Sequence, residues 1–182
     1  MGGQQDGSRF IERLGALPVV ALTITAIMAL QFLLIAATNW SDFGANQAFV
    51  HHVLQMDTTF KDKDVMWRAI HNTGVQNFAY VCIIVWESCI ALVLIWASLL
   101  WFKALRRDDG YAGARRWASI GFTMVLLLFF GGFITIGGEY FEMWQSHTWN
   151  GLQPALRNSL LAGLGLILVH LPLRPEDRHP RS

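Results

Sequence analysis

Of 182 residues, 53% are apolar and only 15% are charged, with a formal net charge of +1. Soluble domains carry about 25% charged residues, so this chain has too little polarity to face water on every side. A total charge so near zero argues against a nucleic-acid-binding domain, which needs a basic stripe for phosphate neutralisation, and leaves lipid and protein as the expected partners.

The chain-order reading rests on bilayer thickness: a hydrocarbon layer of ~30 Å needs about 20 apolar helical residues. The first span, residues 17–38, reads LPVVALTITAIMALQFLLIAAT without a charge, and Pro18 stands near its start, where a missing N–H is tolerated. It is too long for a secretory apolar core and ends at Asn39-Trp40 without a small-residue cleavage site, so it is expected to be retained. The outer segment 39–76 is too long for a turn. Within it, residues 45–56 place Phe49, Val50, Val53 and Leu54 on one helical face, as an interfacial helix would. Thr58 or Thr59 stands as a cap for a second short helix, although the Lys61, Asp62, Lys63, Asp64 alternation equally suits a solvated loop.

The second span, 77–102, is interrupted only by Glu87 and carries Cys82 and Cys89, read as small buried apolar residues. The third, 117–141, stays apolar until Glu139, and the fourth, 156–173, has Arg157 at its entrance and Pro172 at its end. The fold class is therefore all-α: one integral membrane domain, a four-helix transmembrane bundle with short outer-face interfacial helices. The first dozen residues and the tail, about 174–182, are expected to be disordered.

Lys and Arg divide unequally between the two sides. Ten fall in the N-terminal segment, the loop 103–116 and the tail; four (Lys61, Lys63, Arg68 and Arg157) fall on the other side. The positive-inside rule then places both termini in the cytoplasm.

Three strings, NWSDFGANQAFVHHVLQMDTTF, MWRAI and GGEYFEMWQSHTWNG, resemble the family named domain of unknown function 2165. The resemblance implies a small four-span protein of a bacterial inner membrane, and Tyr140 stands where many relatives carry Trp. It implies no reaction, substrate or cofactor, so no catalytic residue is carried over.

The residues themselves offer three candidate groups. Glu87 lies ten residues beyond Asn77, about 15 Å deep and near the bilayer centre, where a carboxylate is costly. It reads as a proton relay or cation site, or as a neutral acid hydrogen-bonding a neighbouring helix through Ser88, Thr25, Gln31 or Thr123. At the outer interface, Glu139 reads first as part of a glycine-lined helix contact and, alternatively, as a partner of Arg157 or Arg68 or a member of a site with Asp57, Glu142 and the histidines. Gly131, Thr135 and Glu139, at i, i+4 and i+8, form a small polar face suited to close helix approach. The third group is an aromatic and amide-rich hairpin of Trp144, Gln145, Trp149 and Asn150, read as an interfacial belt or as a cradle for a head group or a partner's loop. His51 and His52 point to different faces and no HExxH occurs, so no metal is expected. No haem, nucleotide or thiol-redox signature points to a cofactor. Two functional classes stay open: an accessory or assembly subunit, paired with a membrane-protein partner or itself, and a small carrier or proton-linked pore using Glu87.

Overall fold

The computed structural model describes residues 15–107 and 110–172. The expected disordered ends lie outside these. All regular structure among the described residues is helical: α1 Leu17–Ser41, α2 Phe43–Gln55, α3 Thr73–Arg107, α4 Ala112–Tyr140 and α5 Leu152–His170. Four of them, α1, α3, α4 and α5, are long and apolar enough to cross a membrane.

Side-chain size decides which face turns inward. Ala21, Ala29, Ala36, Ala91, Ala97, Ala118 and Ala162 are buried, while Ile27, Leu30, Phe78, Leu92, Phe130, Leu164 and Ile167 are more than half exposed. A soluble bundle would invert this pattern. In hydrocarbon, lipid solvates large apolar groups, and small residues let backbones approach closely. Gly121 lies against Leu94 of α3, and a Cβ on Gly165 would sit 2.7 Å from the Phe122 ring of α4. Phe32, Ile90, Leu94, Trp101, Phe122, Val125 and Phe129 fill the space between the helices.

The spanning helices differ from their expected limits: α1 runs on to Ser41, α3 extends beyond both ends, and α4 and α5 begin earlier but stop at Tyr140 and His170. Pro18 sits in the first turn of α1, where its fixed φ suits helix entry, and α3 runs for 35 residues, about 52 Å. Cys82 and Cys89 are exposed on the outer surface of α3, contrary to the expected burial. They lie off the inward stripe Tyr80, Ile84, Glu87, Ala91 and Leu94.

The outer half of α4, Leu127–Tyr140, is wound as a π-helix. Thr135 Oγ1 donates to the Phe130 carbonyl and the Phe141 amide to that of Ile136, each five residues back. The wider winding defeats the expected face: Thr135 and Glu139 are exposed, whereas Gly137 and Gly138 are buried.

Above this bundle lies a cap. After a single linking residue, Asp42, α2 folds back and buries Val50 against Tyr80 and Ile84 of α3. Its Phe49 ring stacks on Phe133 of α4. The apolar face of α2 thus packs on protein over a cleft of about 160 Å³, lined also by Ile83, Leu128 and Gly132. The chain turns out of α2 at Met56, a left-handed residue (φ 53°) that is fully buried. No second α-helix follows; residues 57–72 form a loop with one 3₁₀ turn, Met66–Arg68.

Candidate functional site

The inward stripe of α1, Ala21, Thr25, Met28, Phe32 and Ala36, ends at Asn39. That of α3 carries Glu87. Because the two helices pack along their lengths, these polar residues meet. Asn39 Nδ2 donates to Glu87 Oε2 at 2.7 Å, and Asn46 Nδ2 of α2 donates to Asn39 Oδ1 at 2.8 Å. Glu87 and Asn39 are each only 4% exposed. Beside them, Trp40 Nε1 donates to Ser88 Oγ at 3.1 Å.

Glu87 is therefore level with the last turn of α1, at the foot of the cap. The count from Asn77 takes an assumed start of α3 as the membrane surface, whereas α3, at 35 residues, is longer than the layer, so distance along it does not give depth. The expected partners are engaged elsewhere: Thr25 bonds the Ala21 carbonyl, Gln31 donates to Asn158 of α5, and Ser88 takes the Trp40 indole. Thr123 is exposed on α4. Inward of Glu87 the core is apolar down to Trp101 and Ala118, apart from small hydroxyls bonded to their own helices and the Gln31–Asn158 bridge.

Outward, amides fasten α2 to α3. Gln47 Nε2 donates to Asn77 Oδ1 at 2.8 Å, His51 Nε2 lies 2.7 Å from the same oxygen, and buried Gln76 donates to the Ile70 carbonyl at 2.6 Å. His52, on the other face as expected, lies 2.7 Å from Asp57 Oδ2 and stacks on Trp149 with ring centroids 4.5 Å apart. Asp57 Oδ1 is buried without a hydrogen-bond partner.

The hairpin closes against the loop after α2. Gln145 is buried and uses both ends of its amide, accepting from the Phe60 amide and donating to Glu142 Oε2, each at 2.7 Å. Thr58 donates to Ser146 Oγ at 2.9 Å, which also accepts the Trp149 amide. Trp144 packs edge-on against Phe60, and Asn150 Oδ1 receives the Leu152 amide at the start of α5. The hairpin amides are thus occupied within the protein.

The alternative reading of Glu139, as one half of an ion pair with Arg68 or Arg157, is not met. Glu139 is exposed; Arg68 Nη1 donates to the Tyr140 carbonyl at 3.2 Å with its guanidinium over the Trp67 and Tyr140 rings, and Arg157 is exposed on α5. Asp57 and Glu142 also stay apart, one on His52 and the other on Gln145. Among the described residues, no three His, Cys, Asp or Glu side chains gather to hold a metal. The residues that sequence reasoning missed are the amides that tie this cap to the bundle: Asn39, Asn46, Gln76 and Asn77.

No curated protein and no solved structure is matched by the chain. A family profile described as a predicted small integral membrane protein (DUF2165) matches residues 17–172. Four long apolar helices with large residues outside and small ones inside accord with that description. The chain is an integral membrane protein in contact with the lipid bilayer, and it belongs to this family of unknown function.

Proposed function

We propose that the protein is a non-enzymatic accessory or assembly subunit of a membrane complex, seated in a bacterial inner membrane with both termini cytoplasmic. The observation that carries this reading is the hydrogen-bonded chain Glu87–Asn39–Asn46. A carrier or pore needs polar groups that lead across the membrane. Here the buried carboxylate is tied to the cap and backed inward by Ile90, Ala91 and Leu94, so it fixes the cap on the bundle. An ordered outer cap on a small bundle suits recognition of another membrane protein. The orientation rests on the unequal Lys and Arg distribution.

Two experiments test the proposal. Purification of the full chain in a mild detergent should recover a stoichiometric membrane-protein partner, and disruption of the cap should lose it. A purified homo-oligomer that moves an ion in liposomes, and stops when Glu87→Gln is introduced, would instead establish the carrier reading. Reporter fusions at Asp109 and Lys63 should read cytoplasmic and exported respectively; the reverse pattern would overturn the orientation.

A further inference from the structure

At the basic end of the bundle, one face of α4 forms a trough of about 520 Å³, lined by Arg115, Arg116, Ser119, Ile120, Thr123, Met124 and Leu127, with His170 of α5 at its foot. Its two ends differ in chemistry. At the foot, Arg115 is held rigidly: Nε donates to the Val169 carbonyl at 2.6 Å and Nη2 to the Leu171 carbonyl at 2.8 Å. Ser119 Oγ donates to the Arg115 carbonyl and lies 3.1 Å from His170 Nε2. Arg116 is exposed beside them. Above this end the lining turns apolar, and both Ile120 (41%) and Leu127 (59%) are exposed.

From Arg116 to Leu127 is eleven residues, about 16 Å of helix and close to half of a ~30 Å hydrocarbon layer. The trough therefore has the length of one leaflet, with cations at the headgroup end and hydrocarbon above. Among the described residues that line it, none is acidic. We propose that it binds one anionic glycerophospholipid of the basic-side leaflet, with the phosphate at Arg115 and Arg116 and an acyl chain along Ile120, Thr123 and Leu127. A zwitterionic lipid fits the apolar part equally but brings its own cation to the arginines. A free anion gains nothing from the upper trough. This site does not depend on the accessory role.

The test is native mass spectrometry of the full chain in mild detergent, titrated with phosphatidylglycerol or with phosphatidylcholine of the same acyl chains. Wild type should hold one phosphatidylglycerol in preference to phosphatidylcholine. Arg116→Gln should lower phosphatidylglycerol occupancy roughly fivefold, the factor that one cation contributes at an anionic surface, and leave phosphatidylcholine unchanged. Arg107→Gln, at the end of α3 outside the trough, should change neither. Thr123→Trp, which fills the trough and keeps both arginines, should remove both lipids. Equal occupancy by the two lipids, equal damage from Arg107→Gln and Arg116→Gln, full retention in Thr123→Trp, or displacement of the lipid by inorganic phosphate would each overturn the proposal.

Discussion

Replacing Asn39 with leucine is the sharpest perturbation of the Glu87 chain. Asn39 is the middle member, donating to Glu87 at 2.7 Å and accepting from Asn46 at 2.8 Å. Polar contacts between membrane helices average ~0.6 kcal/mol and reach ~1.7 kcal/mol. The Asn39→Leu change would remove two such bonds and leave a buried carboxyl oxygen without its donor, a penalty of ~1–3 kcal/mol by itself. We expect a net loss of roughly 2–3 kcal/mol, since Asn46 is exposed and regains solvation. Glu87→Gln should cost less than about 1 kcal/mol, because its amide oxygen still accepts from Asn39 and the shape is kept. The assay is reversible unfolding in mixed micelles of mild detergent and dodecyl sulfate, with a double-mutant cycle on Asn39→Ala and Glu87→Ala. A coupling energy below ~0.3 kcal/mol, the scatter expected of independent sites, would refute the argument.

Two further substitutions probe the packing and the cap. Gly165→Leu should destabilise by ~1–3 kcal/mol through overpacking, because its Cβ would meet Phe122, which is fully buried; wild-type stability in the same unfolding assay would show that α4 and α5 do not approach so closely. Gln145→Leu leaves the Phe60 amide without its acceptor, at a cost of ~1–3 kcal/mol borne by the cap. Trypsin should then cut the exposed Lys61 and Lys63 faster while the spanning helices stay intact, and an unchanged cleavage rate would contradict the fastening role.

The number of spanning helices was legible because bilayer thickness and the scarcity of charge both act on sequence directly. Their ends were not. Thr73 to Gln76 and Ala112 to Arg116 are too polar for hydrocarbon, yet they are helical. Gln76 is bonded to Ile70, and Arg115 reaches the end of α5, so protein neighbours supply there what lipid would not. Helix phase was equally hidden from hydrophobicity, because lipid-facing and core-facing positions are both apolar. The cysteines show the consequence: an apolar run gives no reason to place Cys82 outside and Ile84 inside.

Size carries the phase that polarity does not. Ala21, Thr25, Met28, Ala29, Phe32 and Ala36 mark the packed stripe of α1, and continuing it by three residues reaches Asn39. Taken only as a polar residue, Asn39 looks like the end of a span. Followed along the stripe, it is the next inward position and so must meet a polar group on the facing helix. Tyr80, Ile84, Ala91 and Leu94 place Glu87 on the corresponding stripe of α3. The same reasoning fails in α4 for a physical cause: intervals of four describe α-winding, and beyond Leu127 the hydrogen bonds reach back five residues. There Gly132 and Gly137 come together instead, with a Cβ on Gly137 3.6 Å from the Gly132 carbonyl oxygen. A lone carboxylate in an apolar run suggests a conduit only while its depth is counted along its own helix. Once its partner on the neighbouring helix is identified, the hydrogen bonds continue from buried Asn39 to exposed Asn46, and the acid is joined through them to the cap.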